Sequence, residues 1–122
     1  MKISGNASSL PTFRQWRKEN WKDERAGYYP IEIIWYSHEF KSITFQTAEF
    51  RVSQKFKTGD ELHKVWLELD KLRKTPVTAY VNVKEKLEYE VEVTKAGDAH
   101  EDPLKMMWID KMSAFVLEPS RS

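Results

Sequence analysis

Four groupings of side chains in this sequence could do chemistry: three histidines, a short acidic cluster, a glutamate stripe, and a basic stretch threaded with aromatic rings. His38 falls in an expected turn and His63 beside the apolar stripe of an expected helix, neither with a convergent base, nucleophile or orienting group in its own segment. A catalytic histidine requires such a partner, so both read as solvated surface residues. Asp98-Ala99-His100-Glu101-Asp102 offers four oxygen or nitrogen ligands in five residues. It lacks the ordered ligand and glycine spacing of a calcium loop, and Gly97 and Pro103 flank it as they would a solvated turn. Glu88, Glu90 and Glu92 share one face of an expected strand. A general acid needs burial to raise its pKa, and an alternating exposed stripe supplies none. Solubility and protection of a sheet edge explain the stripe better. The sequence has no G-x-S-x-G, no H-E-x-x-H and no phosphate loop, and its four glycines are well separated. No catalytic residue, metal or cofactor is therefore expected, and a small enzyme with an unfamiliar site is the weaker alternative to a binding domain.

The basic stretch says more. Arg14, Arg17, Lys18, Lys22 and Arg25 interleave with Phe13, Trp16 and Trp21, and residues 1–25 carry six basic against three acidic side chains, a local +3 against −2 for the remainder. Basic side chains track phosphates while aromatic faces accept stacked bases, which is the mixture that single-strand binding uses. The opposing explanation is that Phe13 and Trp16 anchor a helix on the sheet while the arginines and lysines point outward. Tyr28, Tyr29, Trp35, Tyr36 and Phe40, near Lys41 and Arg51, form a second candidate platform. There Trp35 is expected to face the core with Ile31 and Ile33, which leaves Tyr36 and the terminal tyrosines exposed. Tyr80 and Lys84 would extend the platform if their strands are neighbours.

These residues must be positioned by a small set of elements. Thr12 and Gln15 read as a capping box opening a helix at 13 to about 20. Ile31-Glu32-Ile33-Ile34-Trp35-Tyr36 shows little polar alternation, as expected of a central strand. Ile43-Thr44-Phe45 places apolar side chains at odd positions and Phe50-Arg51-Val52 at even ones. That flip requires a bulge, a bend or a turn within 46–49. Thr58 and Glu61 cap an amphipathic helix at about 59–74, with Leu62, Val65, Trp66, Leu69 and Leu72 on one face and Pro76 ending it. Val77 to Val83 and Leu87 to Val93 alternate as two strands joined at Glu85-Lys86, and Ser113 to Leu117 is a strand. Residues 103–112 fit either a short helix capped by Asp102 or a strand.

Segregated strands with two helices predict an α+β domain with a small, mainly antiparallel sheet of five to six strands. If the flip separates two strands, residues 28–95 read strand-strand-strand-helix-strand-strand, an order that resembles the partly open five-stranded oligonucleotide-binding barrel. The 122 residues suit one domain, with 1–10 and 119–122 expected as loose ends. A net charge of +1 leaves no global field for nucleic acid or anionic lipid, so any such partner must be held locally. The absence of cysteine fits a reducing, cytoplasmic setting, and no apolar run reaches the ~20 residues of a membrane span. The expected function is non-enzymatic binding of single-stranded DNA or RNA through Arg14, Arg17, Lys18, Trp21, Lys22, Arg25, Tyr36, Lys41 and Arg51. The alternative is a small protein-interaction module docking on a larger enzyme through its Trp, Tyr and Arg side chains.

Overall fold

The computed structural model describes residues 1–6, 11–20, 27–84, 88–97 and 103–119. Its elements run β1 (Lys2–Asn6), α1 (Pro11–Asn20), β2 (Gly27–Pro30), β3 (Ile33–Ser37), β4 (Ser42–Gln46), β5 (Arg51–Lys55), α2 (Gly59–Leu72), β6 (Val77–Val83), β7 (Glu88–Lys95), β8 (Leu104–Ile109) and β9 (Ala114–Pro119). The class is α+β and the sheet is antiparallel throughout, but among the described residues it holds nine strands instead of five or six and does not close into a barrel. No described helix is long and apolar enough to cross a membrane.

The sheet order is β1-β7-β6-β8-β9-β3-β4-β5, with β2 added on β6. It has two halves, β2-β6-β7-β1 and β8-β9-β3-β4-β5, whose direct ladder contact among the described residues is the pair Val77–Leu104. The segment 27–37 ties them together. Its first part pairs with β6, Ile31 N–H donates to Ala79 O, and its second part lies between β9 and β4. Tyr29 and Ile31 point into the core, and so do Ile34 and Tyr36, so the side-chain parity shifts at Glu32–Ile33. That shift is the physical reason for the missing alternation in Ile31 to Tyr36, because a strand that changes halves of the sheet shows each half a different parity.

The flip expected within 46–49 is a tight turn. Thr47 N–H donates to Phe50 O, and the Thr47 hydroxyl accepts from the amides of Glu49 and Phe50. The order strand-strand-strand-helix-strand-strand is therefore present over 27–95, as β2/β3, β4, β5, α2, β6 and β7. Its first strand is shared by the two halves. Helix α2 begins at the Thr58 cap, whose hydroxyl accepts from Glu61 N–H at 3.2 Å, and buries Leu62 and Leu69. Residues 104–109 resolve as strand, paired with β9 from Leu104–Pro119 to Ile109–Ala114.

Two expectations are corrected at the N-terminus. Lys2–Asn6 is not a loose end but strand β1, paired with β7 along its whole length. At five residues, interrupted by Gly5, it is too short to reveal itself by pattern. Because β1 covers β7, the glutamate stripe does not guard an edge. Glu90 and Glu92 are mostly covered instead, held by Lys2 at 3.4 and 3.9 Å and, for Glu90, by Lys84 at 3.3 Å. Thr12 is not a cap either. It sits inside α1, and its hydroxyl donates to Arg51 O.

The aromatic surplus is largely absorbed by two clusters in one continuous core. Phe13, Trp16, Tyr29 and Phe50 meet at the α1 end, with Trp16 and Phe50 at 4.7 Å between centroids. Trp66 of α2 packs on Tyr36, Phe115 and Trp108 at 4.6, 4.8 and 5.2 Å.

Candidate nucleic-acid interface

The structure divides the basic and aromatic residues singled out above. Trp21, Lys22 and Arg25 lie outside the described residues. On α1, Phe13 and Trp16 are buried and fix the helix against Phe50, so anchoring accounts for both rings. Arg14 and Lys18 are exposed and Arg17 half-buried. A groove of ≈ 610 Å³ runs along the helix past Thr12, Gln15, Trp16, Glu19 and Glu49. At 3.6 residues per turn, Arg14, Arg17 and Lys18 lie roughly 140° around the helix from Thr12, Gln15 and Glu19. The basic flank of α1 thus faces away from that groove, which is flanked by two carboxylates.

The second platform is also rearranged. Tyr29 is taken into the core cluster, and Tyr28, 66% exposed, meets Tyr80 edge-on at 4.8 Å on the other half of the sheet. Tyr80 and Tyr28 do sit on neighbouring strands, as β2 pairs with β6. Tyr36 and Trp35 exchange the places expected of them. Tyr36 packs on Trp66 at the margin of the core, whereas Trp35 lies half-exposed on the outer face of the sheet, opposite Thr44. The cause is the parity shift at Glu32–Ile33, which a strand read as one uninterrupted run places on the wrong side.

Around Trp35 the register assembles a surface across three strands. Ile33 and Trp35 of β3 stand beside Gln46 and Thr44 of β4, and these beside Arg51 and Ser53 of β5. Lys55 continues the same face of β5 toward the β3–β4 turn, where Lys41 sits. The outward positions of β3, β4 and β5 include two cations, Arg51 and Lys55, and no carboxylate; Glu39 and Glu49 stand in the turns at either end. Among the described residues no ion pair engages Lys41, Arg51 or Lys55. Pro11, Thr12, Trp35, Thr44, Arg51 and Ser53 line a groove of ≈ 410 Å³ on this face. Its floor is tied by the hydroxyls of Thr44 and Ser53 at 2.6 Å. Lys55 is a member that the sequence alone did not bring forward, and Trp35 is one that the sequence placed in the core. The signal available for them was the parity of β4 and β5 carried one strand further.

The outward carbonyls of β5, the last strand of the sheet, are each met by a side chain. Thr12 hydroxyl donates to Arg51 O, Tyr89 hydroxyl to Ser53 O at 3.0 Å, and Gln54 Nε2 to Lys55 O. Burial pushes the Tyr89 phenol up from 10.0 to about 12, so this donor stays protonated well into the alkaline range. Gly5 makes room for it, since a Cβ there would stand 2.7 Å from the Tyr89 hydroxyl oxygen.

Beyond β3 the outer face changes character. Met107, Ile109 and Val116 continue it across β8 and β9 as an apolar surface, with Lys105 and Glu118 at its far end. His38 and His63 are exposed, as expected, while Asp98 to Asp102 lies outside the described residues. Among the described residues no group of side chains is arranged to hold a metal ion. Compared with protein-family models, curated proteins and solved structures, the chain matches none.

Proposed function

We propose that this chain is a non-enzymatic binding domain that takes single-stranded nucleic acid on the outer face of β3, β4 and β5. The observation that carries the reading is the half-exposed Trp35 in a groove walled by Arg51, Thr44 and Ser53, on a strand surface free of carboxylates. A ring of this kind accepts one face of a base, at ~1–3 kcal/mol, and the cations beside it neutralise phosphates. Every base has such a face, so the surface favours unpaired strands without reading their sequence. The strand order over 27–95 adds weight by analogy alone. In the oligonucleotide-binding barrel the second and third strands carry the ligand, and β4 and β5 hold those places here.

Fluorescence anisotropy with labelled single-stranded oligo(dT) and oligo(U) at two salt concentrations tests the reading. Binding should weaken steeply as salt rises, because phosphate contacts release counterions. Trp35→Ala should cost ~1–3 kcal/mol of binding with an unchanged salt slope. Arg51→Ala with Lys55→Ala should flatten that slope by about two phosphate contacts. Absence of salt-sensitive binding to either polymer would overturn the proposal. The same face would then stand as a protein-docking surface, for which its apolar continuation over Met107, Ile109 and Val116 speaks.

A further inference from the structure

We infer that the ligand of this face is an extended, unpaired tract of about four nucleotides, held by a second stacking ring, Phe40, at the β3–β4 turn; this rests on the function proposed above. Phe40 is 65% exposed, more than any other described aromatic residue except Tyr28. Nothing in the core accounts for its position, yet its turn is fixed. Phe40 N–H donates to the Ser37 hydroxyl, Lys41 holds a left-handed conformation at φ 50°, and Phe56 N–H donates to Lys41 O. The last bond ties the turn to the end of β5, so Phe40, Lys41 and Lys55 gather at one end of the face and Arg51 marks the other.

The spacing then sets the length of the ligand. Arg51 and Lys55 are four residues apart on one strand, ~13 Å at the rise of a β-strand. A stacked nucleic-acid strand advances ~3.4 Å per nucleotide, and a splayed one about twice that. Adding the turn beyond Lys55, the face spans about four nucleotides, the small end of the range for domains of this kind. Trp35 and Phe40 cannot stack the same base, because Trp35 stands two residues short of the turn that bears Phe40. A paired base has both faces covered by its neighbours in the duplex, so it cannot enter a groove walled by Pro11 and Thr12.

Titration of the whole chain with deoxy- and ribo-oligonucleotides of one, two, four and eight residues, and with a blunt duplex, tests the inference. Affinity should rise sharply up to four nucleotides in the tighter-binding series and little thereafter, with the duplex binding weakly. Phe40→Ala should weaken binding of the four-residue oligonucleotide about tenfold, leave the two-residue one unchanged, and leave the melting temperature unchanged. Two-residue and four-residue ligands of equal affinity, a neutral Phe40→Ala, or equal binding of duplex would overturn the inference while leaving the proposed function standing. If no oligonucleotide binds, the proposed function fails and the inference with it.

Discussion

Trp35 and Tyr36 are adjacent in the chain and opposite in consequence. Tyr36 lies against Trp66 at 4.6 Å, so Tyr36→Ala should lower the melting temperature through lost packing, by an amount in the range of ~2–4 kcal/mol. Trp35→Ala should leave melting nearly unchanged and reduce oligonucleotide binding, and reading both variants by calorimetry and anisotropy separates the two roles. The sequence makes Arg51 and Lys41 visible as candidates, because they are cations close in the chain to the aromatic run Tyr28 to Phe40. It does not make Trp35 visible, since the side of the sheet on which Trp35 emerges depends on a parity shift at Glu32–Ile33 that only the crossing between half-sheets produces. Arg14, Arg17 and Lys18 illustrate the reverse. Their charge is plain in the sequence, yet the orientation of α1 is dictated by Phe13 and Trp16, which turn them away from the groove along Thr12, Gln15 and Glu19.

At the level of elements, α2 is legible because its signals agree: cap, stripe, terminal charges and a following proline all mark the same span. Leu69 is fully buried, and Leu69→Ala should destabilise by ~2–5 kcal/mol, measurable by thermal melting. The β3–β4 hairpin shows the opposite balance between stability and function. Lys41 adopts φ 50°, a conformation that costs a side-chain-bearing residue ~1 kcal/mol and glycine nothing. Lys41→Gly should therefore raise the melting temperature slightly while weakening oligonucleotide binding and lowering its salt slope by about one contact. A variant that is less stable and binds normally would show that the lysine serves the turn alone. Strand β1 was hidden because its partner is more than eighty residues away, as the Ile3–Val91 pair shows, and its five residues carry no periodicity of their own. Strand β9 is legible from Ser113 to Leu117, but β8 is only half visible, since Leu104 to Ile109 satisfies a helical and an extended pattern alike and pairing with β9 decides between them.

Across the whole molecule, Tyr89 connects the two halves of the sheet away from the core centre. Its ring belongs to β7, its hydroxyl reaches β5, and Gly5 of β1 leaves it space. Folding raises its pKa from 10.0 to about 12, so the folded chain keeps the phenol protonated where the unfolded chain ionises it. The associated stability is complete below pH 10 and is lost as pH rises through about 12. Tyr89→Phe should remove that alkaline component from a series of melting curves, and Gly5→Ala should displace the hydroxyl and cost ~1–3 kcal/mol. Glu90 behaves in the opposite sense. Partial desolvation works against its charge, but the Lys84 hydrogen bond and the charges of Lys2 and Lys84 outweigh it and lower its pKa, so its contribution disappears as pH falls into the acid range. The side chains on the outer carbonyls of β5 have a further consequence under the proposed function, in which several copies would bind side by side along one strand. Copies held shoulder to shoulder meet at very high local concentration, where an open strand would recruit its neighbour and convert a reversible array into a fibril. With the Arg51, Ser53 and Lys55 carbonyls already engaged, the β5 edge offers a neighbouring copy no free outward carbonyl to pair with. Replacing Thr12 by Ala and Tyr89 by Phe together should expose that hazard as thioflavin-positive aggregation of concentrated protein, where the wild type remains dispersed.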